Sequence, residues 1–377
     1  LAALRRLWPA LALPVLLGLA AGCPDSGPVR IGFSGPLTGR WSDVGVQGRN
    51  GATLAVEEMN ARGGVAGRRV ELLVADEQDT PEAAREAVRT LDRQGAAVLV
   101  GFMTSSAAEA GLPTAEAAGL VVVSPTATSP NLAGRDDMLY RMSPDLTACA
   151  RTLAEHVALR DGRTRTLVVL DAGNAPYAEP FAQAFAERYA ACGGQVADMA
   201  RLAAGQAPDG AALARRAGAH DAPALLAILS ARDMAALARD MRPAAPGLAL
   251  YSSTWGFTSE FLEMAGDAAE GVAASMPYPF EGYSPGVTEF NARFRARFGL
   301  TPYFGAALAY EAVMVAALAL ERAGCRRAGV DRALAGLGAI HGMHGDFAFD
   351  RFGDVRGPVF LCAVRQGRMV VLGSGDD

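Results

Sequence analysis

Continuous apolar runs that stop at a turn and give way to a helix-patterned stretch recur along this chain, and this alternation limits its fold more than any other feature. The series opens at VRIGFS, beginning at Val29. Ala52, Ala55, Val56 and Met59 then follow the i, i+3, i+4, i+7 spacing of one helix face, and Gly63-Gly64 ends that helix. The run RRVELLVAD is the next strand. Thr80 caps the helix after it, with Pro81 at the first position and Glu82 in the first turn, where exposed amides and the helix dipole favour them. Ala84, Ala87, Val88 and Leu91 form its buried face. AAVLVG, a further helix and GLVVVS complete the series. Strands that are apolar at successive positions need cover on both faces, which predicts a parallel sheet sandwiched by helices.

After LYRMSP the rhythm restarts, with strands at TRTLVVLD, GGQVADMA, PALLAILS, GLALYSS and EGVAAS beside helix-patterned stretches. Domains usually hold about 100 to 200 residues. Two such series in 377 residues therefore predict an α/β fold of two doubly wound parallel-sheet lobes. Helices predicted near 286–298 and 303–323 are followed by alternating runs with Gly-Asp and Gln-Gly turns, the pattern of short antiparallel strands.

The first residues stand apart. Arg5 and Arg6 precede an apolar stretch, residues 7–21, broken by Pro9 and Pro14. It is shorter than the roughly 20 residues that span a bilayer and has the order of a secretory signal. Leu19-Ala20-Ala21-Gly22-Cys23 resembles the lipobox of bacterial lipoproteins, with Ala20 where leucine is usual and Leu19 one place further out. The expectation is a signal peptide over 1–22, lipidation at Cys23 and a short tether over 23–27, giving an exported, membrane-anchored periplasmic lipoprotein. Plain cleavage near Ala21 or Gly22 is the alternative.

The net charge is −5 and the chain contains no lysine, so no basic face exists to follow a phosphate backbone and nucleic acid is not an expected partner. Export permits disulfides, and Cys149, Cys192, Cys325 and Cys362 allow three pairings, among which the sequence does not choose. Cys149 opens a predicted helix and Cys192 closes another, so a bond between them would have to cross about 20 Å.

VLVGFMTSSAAEA, residues 98–110, places three hydroxyls where a strand hands over to a helix. Ser106 with Glu109 fits a capping box, and helix initiation is the plain reading of Ser106. Thr104 and Ser105 lie upstream on the turn. A helix N-terminus offers unpaired N–H groups and partial positive charge, so hydroxyls beside it make a carboxylate site without lysine or arginine. Ser124-Pro125-Thr126-Ala127-Thr128 repeats the arrangement after the next strand. Ligands of open parallel sheets sit outside such carboxyl ends.

VRIGFSGPLTGRWSDVG, NGATLAVEEMNARGGVAGRRVELLVADEQDTPEAA, VLVGFMTSSAA, VVSPTATSPNL, YRMSPD and AGDAAEGV, in this order, resemble the branched-chain amino-acid binding proteins of ABC importers, the periplasmic type I solute-binding family. The resemblance spans essentially everything after the signal. It implies two α/β lobes joined by three crossovers, 28–142 with 279–342 and 143–278 with 343–377, closing on a ligand in the cleft. It carries the ligand carboxylate to Ser105, Ala127 and Thr128, with Met103 on the same turn, and places aromatic cover at Trp41 and Tyr177. For Trp41 and Trp255, packing in the core or at the surface is the other reading. The family places an acidic side chain after the GLALYSS strand to pair with the ligand ammonium, whereas this chain has Thr254-Trp255 there and no carboxylate until Glu260. Either Asp171 or Glu281 supplies the charge, or the ligand lacks an ammonium. By family topology Cys325 and Cys362 fall in different lobes.

Catalytic motifs are missing: no G-x-S-x-G, P-loop or H-E-x-x-H occurs, and the glycine spacing of GFSGPLTG does not fit a dinucleotide fingerprint. His341 and His344 are expected to make polar contacts in a crossover rather than to hold a metal, and RRAGVDR to form a solvated helix face. The expected function is a solute receptor, without cofactor, that delivers a small polar molecule to an ABC permease. A ligand sensor of the same fold acting on a signalling partner is the alternative, and an enzyme on this scaffold stands third.

Overall fold

The computed structural model describes residues 27–279 and 283–374. The leader, Cys23 and Glu281 lie outside the described residues. The first series of elements is β1 (Val29–Gly35), α1 (Ser42–Ala61), β2 (Val70–Asp76), α2 (Pro81–Arg93), β3 (Val98–Val100), α3 (Ser105–Ala117), β4 (Val122–Ser124) and β5 (Leu139–Arg141). Its strands form one sheet in the order β2-β1-β3-β4-β5, parallel throughout. Successive residues of these strands point to opposite faces and both faces are covered. Ile31, Phe33, Val98, Val100 and Val123 are buried in one core, while Leu99, Val122 and Leu139 are buried in another with Ala84, Val88 and Leu112 of α2 and α3. Thr80 caps α2 as expected, its hydroxyl accepting from the Ala83 amide.

The second series is α4 (Leu146–Glu155), β6 (Arg165–Asp171), α5 (Ala175–Ala191), β7 (Gln195–Leu202), α6 (Gly210–Ala219), β8 (Ala224–Ile228), α7 (Ala231–Ala244), β9 (Ala249–Ser252), α8 (Ser259–Ala265) and β10 (Ala273–Met276). After it come α9 (Pro285–Phe298), α10 (Phe304–Arg322), α11 (Val330–Ala335), the hairpin β11 (Ile340–Gly342) and β12 (Gly345–Phe347), then β13 (Phe360–Arg365) and β14 (Arg368–Ser374). The second sheet runs β14-β13-β10-β9-β8-β6-β7. Strands β6 to β10 are parallel, and β13 and β14 extend the sheet antiparallel at one edge.

The chain crosses between the two sheets three times, after β5, after β10 and after β12. Between the second and third crossings it builds α10 against α1, β3 and β4 of the first sheet. Among the described residues α10 alone is long and apolar enough to cross a membrane. It is instead a core helix, apolar on most of its circumference because most of it is covered. Its contact with α1 is close enough that a Cβ on Gly51 would stand 2.0 Å from the Ala306 carbonyl oxygen. RRAGVDR is not simply solvated: Arg327 bonds the carbonyls of Ala96 and Ala118 and the Asp92 carboxylate, pinning the segment before α11 to the first sheet.

Candidate functional site

The turns after β3 and β4 are stitched to each other. Thr104, not Ser106, is the N-cap of α3, its hydroxyl accepting from the Ala107 amide at 3.2 Å. The expected Ser106–Glu109 capping box does not form, because each residue has a better partner elsewhere. Ser106 donates to Asn174 Oδ1 at 2.8 Å, across to the start of α5, and Glu109 accepts from Ser129 and Asn131. Ser105 Oγ accepts from the amides of Thr128 and Ser129 at 3.3 and 3.2 Å, which leaves its own proton free to donate. Thr126 donates to the Met103 carbonyl, and Ser124 donates to the Phe102 carbonyl while accepting from the Ala127 amide. Beneath this turn Glu77 accepts from the Ser34 hydroxyl at 2.8 Å and the Met103 amide at 3.2 Å. Burial pushes its carboxyl up to about 8.

Between the two sheets lies a cavity. The first sheet's side contributes Met103, Thr104, Ser105, Thr126 and Thr128, together with Val44 of α1 and Phe304 of α10. Across from them stand Leu146 and Cys149 of α4, Asn174 and Tyr177 at the start of α5, and Thr254 and Trp255 after β9. Six of the eight residues expected from sequence therefore share one wall: Met103, Ser105, Thr128, Tyr177, Thr254 and Trp255. Two do not. Ala127 is wholly buried behind the wall, its amide already spent on Ser124. Trp41 sits one layer out, edge-on to Trp255 with ring centroids 5.5 Å apart, while Trp255 in turn meets Tyr177 at 5.9 Å. Both tryptophans are buried. Sequence reasoning missed Val44, Cys149, Asn174 and Phe304 as wall residues, and only Asn174, next to the expected Tyr177, carried a local signal.

Charge is kept out of this wall and placed behind it. Val44, Trp255 and Phe304 also border a second, smaller space lined by Arg40, Asp43 and Glu260. There Thr258 donates to Asp43 Oδ2 at 3.1 Å, and burial, reinforced by Glu260, pushes the Asp43 carboxyl up to about 7. Arg40 reaches from the loop before α1 to Asp233 Oδ2 at 2.5 Å, with Asp171 at 3.8 Å. Asp171 faces that guanidinium and the Gly173 amide and is not part of the cavity wall. Arg40–Asp233, Ser106–Asn174 and Thr258–Asp43 thus join the two halves of the molecule directly.

Chemistry of other kinds finds no support in the side chains. His341 pairs with Asp346 at 2.6 Å on the β11–β12 hairpin, and His344 lies edge-on to Tyr278 beside Glu311. No three-residue group of His, Cys, Asp or Glu capable of holding a metal occurs among the described residues. Cys149, Cys192, Cys325 and Cys362 are all free thiols, and burial pushes Cys149 up to about 12, which leaves it neutral.

Two sheets with a cavity between the carboxyl ends of their strands have a counterpart among known families: a model described as "Periplasmic binding protein" matches residues 28–368. The chain belongs to that family. This periplasmic binding protein is similar to the leucine-, isoleucine-, valine-, threonine- and alanine-binding protein of Pseudomonas aeruginosa, 27% identical over 94% of this chain and 93% of that one. In fold it is similar to the branched-chain amino-acid transporter substrate-binding protein LivJ of Streptococcus pneumoniae, solved with isoleucine (TM-score 0.85, 22% identical, 92% and 98% covered). It is similar also to an ABC transporter solute-binding protein of R. palustris solved with benzoate (TM-score 0.84, 19% identical, 93% and 96% covered). Membership makes this periplasmic binding protein a binding protein and not an enzyme.

Proposed function

We propose that this periplasmic binding protein captures a small carboxylic acid or amino acid between two lobes and hands it to the permease of an ABC importer. One observation carries the reading. The cavity is closed by groups from both sheets, and α3, α4, α5 and α10 all begin at its wall, with Ser105, Leu146, Tyr177 and Phe304 in their first turns. Helix amino ends present N–H groups and partial positive charge, so those of α3, α5 and α10 around one space favour an anion, whereas Asp145 already caps α4. The similarity to solute-binding proteins solved with isoleucine and with benzoate agrees with a carboxylate ligand.

In this reading Ser105 and Thr128 hold the carboxylate, Tyr177 and Trp255 cover it from the second lobe, and Met103 and Thr254 shape the space. The lobes are 28–142 with 279–342 and 143–278 with 343–377, and the crossovers between them serve as the hinge. Lipidation at Cys23 would hold the protein at the membrane beside its permease.

A thermal-shift screen over amino acids, amides and small carboxylates tests the proposal, because a ligand that binds only the folded state raises the melting temperature. A carboxylate-containing hit that also reduces the radius of gyration in small-angle scattering is the expected result. A screen in which only compounds without a carboxylate shift the melting temperature would refute it.

A further inference from the structure

We infer that the cavity takes a carboxylate whose remaining body is apolar and carries no ammonium group. This deepens the capture reading above and rests on it.

Among the described residues the wall offers hydrogen-bond donors for an anion and no charge for a cation. Ser105 keeps its hydroxyl proton free while its oxygen is occupied by two backbone amides. Tyr177 lines the same space and is only 7% exposed; its hydroxyl, with Ser253, Thr254 and the Trp255 backbone around it, makes no well-formed hydrogen bond. An unpaired buried hydroxyl is costly, and a carboxylate oxygen accepting from it removes that cost. Acceptors are scarcer. Asn174 Oδ1 already receives the Ser106 hydroxyl, and what remains in the wall is neutral oxygen such as that of Thr126 or Thr254.

Every described carboxylate near the cavity has other work and stands outside the wall. Asp171 is turned to Gly173 and Arg40, Glu260 to Arg232, Asp145 to the Thr147 amide that it caps, and Asp43 lies with Thr258 behind Val44. Glu77 is sealed beneath Met103. An ammonium placed in this cavity would be desolvated without a charged partner among the described residues, and it would face the positive ends of α3, α5 and α10. The rest of the wall is apolar: Val44, Leu146, Cys149, Trp255, Pro277 and Phe304 suit an aliphatic or aromatic body. Trp255, with Val44 and Phe304, separates the cavity from the acidic groups behind, and Thr254 stands uncharged in the wall beside it, so Trp255 and Thr254 determine this preference.

Matched pairs that differ only in the ammonium decide the matter. Calorimetric titration of the intact protein with 4-methylpentanoate against L-leucine, and with 3-phenylpropanoate against L-phenylalanine, is expected to show at least about tenfold tighter binding of the acid without nitrogen in one pair. Thr254→Glu, checked for folding by thermal unfolding, is expected to move the preference towards the amino acid. Equal or tighter binding of leucine and phenylalanine by the unaltered protein would overturn the inference and leave the capture reading standing. Binding of 4-methylpentanamide with neither acid nor amino acid bound would overturn both.

Discussion

Ser105 and Glu77 make opposite demands on the turn that joins β3 to α3. Ser105 Oγ accepts two amides while its proton is available to a ligand, so Ser105→Ala should strip a charge-assisted hydrogen bond and loosen the Thr128 turn together. The expected loss is about 1.5–3 kcal/mol, or roughly tenfold to a hundredfold in Kd, read by titration calorimetry with the hit from the screen. Glu77 holds a proton in the folded chain that the unfolded chain releases. Its carboxyl is raised from 4.5 to about 8 by burial, with Asp76 and Asp79 adding repulsion of the same sign. Because the folded state binds the extra proton between those limits, stability from this group is full below pH 4.5 and falls until the pH passes 8. Glu77→Gln keeps an acceptor for the Met103 amide and removes the titration. Its melting temperature should match the parent near pH 4.5 and exceed it above pH 8, with a ceiling of about 5 kcal/mol. Equal pH profiles for the two proteins would show that Glu77 is ionised in the fold.

Helices α1 and α10 cross where Gly51 meets the Ala306 carbonyl, and a backbone oxygen cannot swing aside as a side chain can. Gly51→Ala should therefore cost about 2 kcal/mol or more through overpacking, seen as a lower urea midpoint. The strands were legible in the sequence because burial on both faces leaves an apolar residue at nearly every position, and α1 and α2 because one-sided burial leaves the helical period. The start of α3 was misread for a physical reason. Thr104 and Ser106 can each cap, and the choice was made by Asn174, a residue in the other half of the molecule that draws the Ser106 hydroxyl away. Local pattern also found the two hydroxyl turns, while Tyr177 came from the family resemblance. It had no access to Phe304, which reaches the cavity because α10 packs on α1, nor to Cys149, which a helix period marks only as core. Arg327 read as a surface charge because the carbonyls it binds are created by tertiary packing.

The two halves are held against each other by Arg40 reaching Asp233, with Ser106–Asn174 and Thr258–Asp43 on either side. Asp233 is buried, so Arg40→Ala would leave its charge and that of Asp171 without their cation and shift the molecule towards the open arrangement. Ligand affinity should fall by roughly threefold to tenfold, and small-angle scattering of the variant should give a larger radius of gyration than the parent. An unchanged affinity together with an unchanged radius would show that Arg40 does not govern closure. The uncharged lining of the cavity has a further consequence. A wall that holds an anion with hydroxyls and helix ends puts no ion pair between protein and ligand, which leaves Arg40–Asp233 as the contact through which dissolved electrolyte would act. Between dilute fresh water and brine, Kd should therefore change by no more than the roughly threefold to tenfold that Arg40→Ala costs.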